Sequence, residues 1–473
     1  ATPGAEGPAP SRPVPLRRGV CSKSGMDATR LATLRRLDEA HHLHPFTDPS
    51  DLRRQGTHII ESTAGCYIVD ETGQKLFDGL AGLWCVNVGY GRAAIADAVH
   101  RQMQAVAYYP SFFNTTTEPT ILLADKLAAH APAGLRKVFF SNSGSEANET
   151  ALKLIRGYHK LRGASARTKI LTRTFSYHGV GLATTSMTGL PTCYQPFDLP
   201  LPGFVHVPGP HPYGVDSDLA PAAYGEWCLA ETERIIAQEG AGTIAALFAE
   251  PVQGAGGVIV PPPGYLKALR DLCRRHGILF VADEVITGFG RLGCWFASEA
   301  WGLEPDLITM AKGITSGYVP LGATLVSDAI AETLERGGYL AHGFTYSGHP
   351  VATAAGLANL QIIEDEQLVE RVRDDVGPYF QQKLRAVAGH AAVGEVRGDQ
   401  LIGAIDLLPR GGKAGRQTPP VLGAKAVALA RRQGVIVRGI RDLVAIAPPL
   451  IVTRAEIDML FAALGTVLDR LWD

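Results

Sequence analysis

Beyond Asp27 the chain places Leu31, Leu34 and Leu37 at helical spacing among arginines. An Asp ahead of the first periodic residue acts as an N-cap, so the pattern predicts an amphipathic helix ending near His44-Pro45. Ile59-Ile60 and residues 66–69, set off by the turn signal Glu71-Thr72-Gly73, predict short strands. The middle of the chain changes character. Residues 137–140, 169–172, 245–249, 279–282 and 307–309 are short, continuously apolar runs separated by longer helical stretches. Such runs predict strands covered on both faces in a mostly parallel sheet, with function at their carboxyl ends. After about Pro350, helical patterns at 351–363, 367–387 and 423–433 interleave with short strands such as 434–437. The expected fold is α/β: a large domain of mostly parallel sheet flanked by helices, plus a smaller α+β domain. The boundaries follow as a disordered leader at 1–26, an N-terminal segment at 27–75 joining the small domain, a large domain at 76–349 and a small domain at 350–473.

Length supports two lobes, since 473 residues exceed the roughly 250–300 at which a single core stops growing. Charged residues make up 19% against 46% hydrophobic, with a formal net charge of -1. No basic excess is present for nucleic acid. Cys21, Cys66, Cys85, Cys193, Cys228, Cys273 and Cys294 never form a CxxC spacing, which fits reduced thiols in the cytoplasm and implies no metal site. No apolar run reaches the length of a membrane span. Residues 1–26 carry arginines and prolines without an apolar h-region, so they are expected to be a leader without catalytic role, with Met26 an alternative start.

Chemistry concentrates where apolar runs end. Lys312, in an apolar stretch, loses solvation for its charged form, which frees the amine to form a Schiff base. Asp283 lies in the apolar run 278–285, where a carboxylate needs a cation; a protonated pyridine nitrogen is one, and a structural bridge to Arg291 is the alternative. Ser143-Gly144-Ser145 follows one strand and opens a helix, a form that suits a phosphate cradle or an ordinary capping turn. Tyr177 ends another strand, where its ring could stack on a planar heterocycle or simply pack. His178 reads as a hydrogen-bonded structural residue without a nameable partner. Residues 288–293 match GxGxxG, but Asp283 and Glu284 separate them from the strand and no convincing helix follows, which argues against a dinucleotide site.

Together these segments resemble the class III, fold type I, pyridoxal-phosphate-dependent aminotransferases, from about Phe46 to the C-terminus. Within them the chain looks most like the amine:pyruvate branch, the ω-transaminases. That similarity rests on Gly-Leu-Trp-Cys-Val-Asn-Val-Gly-Tyr-Gly at 82–91, Phe112-Phe113-Asn114, His-Gly-Phe-Thr-Tyr-Ser-Gly-His-Pro at 342–350, and Arg438 followed by Ala447-Pro448-Pro449. The resemblance implies pyridoxal 5'-phosphate as cofactor, with Lys312 its Schiff-base partner and Asp283 on the pyridine nitrogen. Tyr177 and Val285 would cover the two ring faces. Gly144 and Ser145 would bind the phosphate, joined by Thr345 of a second copy in a homodimer with shared sites. Phe46, Trp84 and Phe112 would form an apolar amine pocket, with Tyr177 also touching substrate. Arg438 would grip the carboxylate of a keto acid, pyruvate above all, and Arg441 would be an exposed charge. Ornithine and γ-aminobutyrate aminotransferases carry a glutamate where this chain has Ala255, so Arg438 lacks that lock. The implied reaction moves an amino group from a primary amine to a keto acid. Another pyridoxal enzyme on the same scaffold, a decarboxylase or an aminomutase, is the nearest alternative, and a non-catalytic scaffold protein is a more distant one.

Overall fold

The computed structural model describes residues 25–417 and 420–473. The leader expected at 1–26 thus lies outside the described residues except for Gly25 and Met26, whose backbone N–H donates to the Glu71 carbonyl at 2.9 Å. Two compact units emerge. One comprises the described residues up to Ser62 together with residues 69–75; the other comprises residues 63–68 and 76–473.

In the first unit, helix α1 spans Ala28–His41, and Asp27 caps it by accepting from the Arg30 N–H at 3.1 Å. It stops short of the expected His44-Pro45: His42 is already extended (φ -113°, ψ 115°), and its N–H closes the last turn on the Asp38 carbonyl at 2.9 Å. None of its residues is buried, and Leu37 is 40% exposed, so the leucine stripe is only partly covered. A short second helix, Pro49–Gln55, is capped by Asp48. The buried Glu71 carboxylate accepts from Arg35 at 3.0 Å and from the Ile59 N–H at 2.9 Å.

The second unit is organised on a seven-stranded sheet. Its strands in chain order are β1 (Leu135–Ser141), β2 (Lys169–Arg173), β3 (Phe204–Val207), β4 (Ile244–Ala249), β5 (Leu279–Asp283), β6 (Leu307–Met310) and β7 (Gly322–Ser327). Across the sheet they run β1-β7-β6-β5-β4-β2-β3. All neighbours are parallel except β7, which runs against both β6 and β1. The sheet is therefore mixed, with six strands pointing one way. Every residue of β4, β5 and β6 is buried, the consequence of apolar runs covered on both faces. Helix α2 (Gly144–Leu161) directly follows β1. Its buried stripe, including Ala151, Leu152, Ile155 and Tyr158, meets Ile170, Phe248, Val281 and Leu307 in one apolar cluster.

Beyond helix α3 (Pro350–Asp365) a second sheet forms from β8 (Val393–Asp399), β9 (Ile402–Leu407), β10 (Arg438–Ile440) and β11 (Leu443–Ile446), in the order β8-β9-β11-β10. The strand expected at 434–437 is shortened to Val435–Ile436, which pairs in parallel with Phe77 and Asp78, and β10 follows from Arg438. Among the described residues no helix is long and apolar enough to cross a membrane.

Candidate active site

The six strands that point one way deliver their carboxyl ends to one edge of the large sheet. Asp283, the last residue of β5, is 3% exposed, so its carboxyl oxygens need partners from the protein around them. Its Oδ2 accepts from Asn148 Nδ2 at 2.8 Å and lies 2.7 Å from His178 Nδ1, while Oδ1 accepts from the Val285 N–H at 3.1 Å. A carboxylate only accepts, so His178 carries a proton on Nδ1. Asn148 is itself fixed, donating to the His178 carbonyl at 2.9 Å and accepting from Thr309 Oγ1 at 2.9 Å. The histidine without a nameable partner thus has one, and the alternative bridge from Arg291 is not formed. Arg291 is buried and donates instead to the Leu401 carbonyl at 3.2 Å, to Asn87 Oδ1 at 3.0 Å and to the Pro448 carbonyl.

Lys312 follows β6 in a tight turn with a positive φ of 46°. The residue is half-buried, and burial pulls its ammonium pKa below the ordinary lysine value, with Cys85, Asp283 and Glu250 opposing. Its Nζ makes no hydrogen bond or ion pair among the described residues and sits 6.0 Å from the centroid of the Trp84 ring. Trp84 is buried, with its indole Nε1 unpartnered. Glu250, just past β4, has its carboxyl pushed up to about 7 by burial; Asp283 pushes in the same direction and His178 against it. It accepts from the backbone N–H of Tyr177 at 2.9 Å and of Gly254 at 3.2 Å.

The start of α2 completes the group. Ser143 caps the helix by accepting from the Glu146 N–H at 3.2 Å, leaving Gly144 and Ser145 in the first turn. A Cβ on Gly144 would come within 3.0 Å of both Val285 methyls, and one on Gly179 (φ 136°) within 2.5 Å of Ser145 Oγ. The Val180 N–H donates to Ser145 Oγ at 3.2 Å. Close backbone approach at a helix N-terminus is the form of a phosphate cradle. With a buried carboxylate and an unbonded, easily deprotonated amine nearby, the residues present fit pyridoxal phosphate.

Lys312, Asp283, Tyr177, Val285, Gly144, Ser145 and Trp84 are therefore gathered at one sheet edge. Arg438 opens β10, exposed and without a hydrogen bond or ion pair among the described residues; its charge bears on Tyr177, opposing the upward push that burial gives the phenol. Arg441 is exposed as expected, yet its guanidinium donates to the Gly256 carbonyl at 3.1 Å and lies 5.5 Å from the Phe175 ring centroid. Among the described residues no hydrogen bond or ring contact joins Phe112 or Thr345 to this group. Phe112 lines a cavity of about 890 Å³ with His342 and Gly343, and the exposed Thr345 accepts from Tyr108 through its carbonyl at 2.7 Å. Phe46 belongs to the first unit, where it is 73% exposed. Asn148, Thr309, Glu250 and Gly179 also belong to the site, although no motif in the sequence marks them, and His178, expected as a hydrogen-bonded structural residue, joins them through Asp283. One signal was available: Asn148 lies one helical turn from Gly144, on the same face.

The family described as class III aminotransferase matches residues 52–468. The putrescine–pyruvate aminotransferase of Pseudomonas aeruginosa is 42% identical over 434 residues, 92% of this chain and 95% of that protein. A thermostable (S)-enantioselective ω-transaminase from Thermomicrobium roseum superposes with a TM-score of 0.90 at 43% identity, covering 95% of this chain and 100% of its own. The ω-transaminase of Pseudomonas jessenii, solved in complex with PMP, has a TM-score of 0.88 at 39% identity and covers 93% and 98%.

Proposed function

The chain belongs to the class III, fold type I aminotransferases, in their ω-transaminase branch, and uses pyridoxal phosphate; from that premise we propose that it transfers the amino group of a primary amine bearing an apolar or aromatic group, or of an ω-amino acid, to pyruvate or a similar keto acid. When bound, the cofactor supplies an electron sink for the carbanion formed at the substrate carbon. The remaining work falls to side chains. Asp283, oriented by Asn148 and His178, is the group to pair with a protonated pyridine nitrogen. Lys312 is suited to hold and return the migrating proton, because burial favours its neutral amine and no acceptor ties its Nζ down. Gly144 and Ser145 are placed to bind the phosphate, with Tyr177 and Val285 on the ring faces. The observation that carries the reading is Lys312 unbonded beside the buried Asp283–His178 pair.

The acceptor follows from Arg438. A guanidinium with no standing partner is free to reach a carboxylate in one half-reaction and withdraw in the other. Ala255 offers no side-chain charge to hold it. Trp84 supplies the apolar wall for the amine, with Phe112 assigned to the same pocket. Phe112 and Thr345, outside the Asp283 group in one chain, fit sites shared across a homodimer. Tyr108, Tyr109, Phe113, Tyr339 and Tyr346 are large exposed rings, the composition a second copy would cover. The six cysteines among the described residues are free, which supports a reducing, cytoplasmic setting.

Borohydride reduction of the yellow protein should fix the cofactor on Lys312, and a screen of amine donors with pyruvate should release alanine. Lys312→Ala should abolish multiple turnover. Steady turnover by that variant, or cofactor attached elsewhere, would sink the assignment.

A further inference from the structure

Outside the catalytic edge, the first unit holds a convergence of metal-type ligands. Asp38 and His42 stand one turn apart at the end of α1, where the His42 N–H closes the helix on the Asp38 carbonyl at 2.9 Å. His44 follows in the turn before Pro45. His42 Nδ1 lies 3.0 Å from Asp38 Oδ1, and His44 Nε2 lies 2.8 Å from Oδ2. The two imidazole rings are 4.1 Å apart between centroids, and one ligand atom from each of the three residues falls within 4.8 Å of the others.

We propose that Asp38, His42 and His44 bind one divalent transition-metal ion of the zinc class. Two imidazoles and a carboxylate form a borderline-soft set, suited to zinc, cobalt or nickel rather than to calcium or magnesium. Bonds of about 2.0–2.2 Å place neighbouring ligand atoms roughly 2.9–3.5 Å apart in a tetrahedral or octahedral shell. The two nitrogen–oxygen separations already stand at the short end of that range, so the ion replaces the shared protons with small ring movements. Thr57 Oγ1 donates to Asp38 Oδ2 and orients the carboxylate from outside, as partners behind metal ligands do.

Room and charge agree. A cavity of about 220 Å³ opens on His42 and His44, and their ligand set of three leaves positions there for water. Of the nearby cations, Arg35 is held by Glu71 at 3.0 Å and Arg54 by Asp51, while Arg53 shares the cavity wall with Glu39. The expectation of no metal was argued from the cysteines, whose spacing says nothing about this cluster. Because α1 buries no residue of its own, an ion tying its last turn to the segment behind it adds a constraint the apolar stripe does not supply. The site stands whether or not the transamination reading holds, since it uses none of those residues.

The test titrates the full-length holoenzyme, stripped of metal and carrying no histidine tag, with zinc alone by calorimetry. One ion per chain is expected, with binding at least tenfold weaker in His44→Gln and in Asp38→Asn and with the cofactor absorbance unchanged. No stoichiometric uptake by the parent chain, or equal uptake by both variants, overturns the site. If a variant fails to fold, the cobalt-loaded parent decides. Nitrogen and oxygen ligation gives d–d bands without a thiolate charge-transfer band, and appearance of that band would place the ion on cysteine and overturn the proposal.

Discussion

His178 presents Nδ1 to Asp283 Oδ2 at 2.7 Å, and the two side chains are 0% and 2% exposed. Nothing in solution can replace either partner. Breaking a buried pair by removing one member costs about 3–5 kcal/mol, because the charge left behind keeps its desolvation penalty. Asn148 would then be the carboxylate's only side-chain donor among the described residues. His178→Phe, which keeps an aromatic volume, should lower the unfolding free energy of the apoprotein by about 3 kcal/mol in urea. A loss below about 1 kcal/mol would show that the histidine merely fills space.

Glu250 sets a pH dependence of definite sign. Its carboxyl, raised from 4.5 to about 7 by burial, binds its proton more tightly folded than unfolded. The stabilising contribution is complete below 4.5 and is lost as pH rises through about 7. Glu250→Gln keeps an acceptor for the Tyr177 N–H and cannot ionise. Between about pH 4.5 and pH 7 the parent apoprotein should therefore lose stability relative to this variant, by about 3 kcal/mol in all. Denaturation curves collected across that range should diverge; parallel dependence on pH would refute the assignment.

Much of this site was legible because each piece is local. An apolar run ending in an acid marked Asp283, a lysine after the next run marked Lys312, and a Ser-Gly-Ser at a strand-to-helix junction marked Gly144. His178 was not legible as the partner of Asp283, since 105 residues separate them and only the parallel order of β2, β4 and β5 closes the distance. Strand β7 was missed for a different reason. Gly322-Ala323-Thr324-Leu325-Val326-Ser327 mixes small and polar residues, and its Thr324 hydroxyl is satisfied by the Ala147 carbonyl at 2.9 Å, a bond made across the fold. Phe112 and Thr345 stand apart from the Asp283 group within one chain, and the roles proposed for them rest on resemblance alone.

Gly179 offers a test of the cradle. Its φ of 136° is costly for a side chain, and a Cβ there would sit 2.5 Å from Ser145 Oγ. Gly179→Ala should displace Ser145 and raise the dissociation constant for pyridoxal phosphate at least about tenfold, read by absorbance titration. Gly465→Ala is the control: it lies inside the helix Arg454–Asp469 with nothing within 4 Å of a new Cβ, and should gain about 0.5–1 kcal/mol without touching cofactor affinity. Unchanged affinity in Gly179→Ala would remove Ser145 from the cradle.

Arg438 and Arg441 differ in what already holds them, and that difference predicts opposite phenotypes. Arg441 donates to the Gly256 carbonyl and lies against Phe175, whereas Arg438 has no partner among the described residues. An unpaired exposed arginine contributes little to the fold, so Arg438→Leu should leave stability within about 0.5 kcal/mol of the parent. In the proposed role it pairs with a substrate carboxylate, where a charge-assisted pair is worth about 1.5–3 kcal/mol. The KM for pyruvate should therefore rise at least about tenfold, while the single-turnover half-reaction with an uncharged amine keeps its rate. Arg441→Leu should reverse the pattern, lowering the melting temperature with little change in the KM for pyruvate. A raised KM in Arg441→Leu with none in Arg438→Leu would move the carboxylate anchor three residues along the chain.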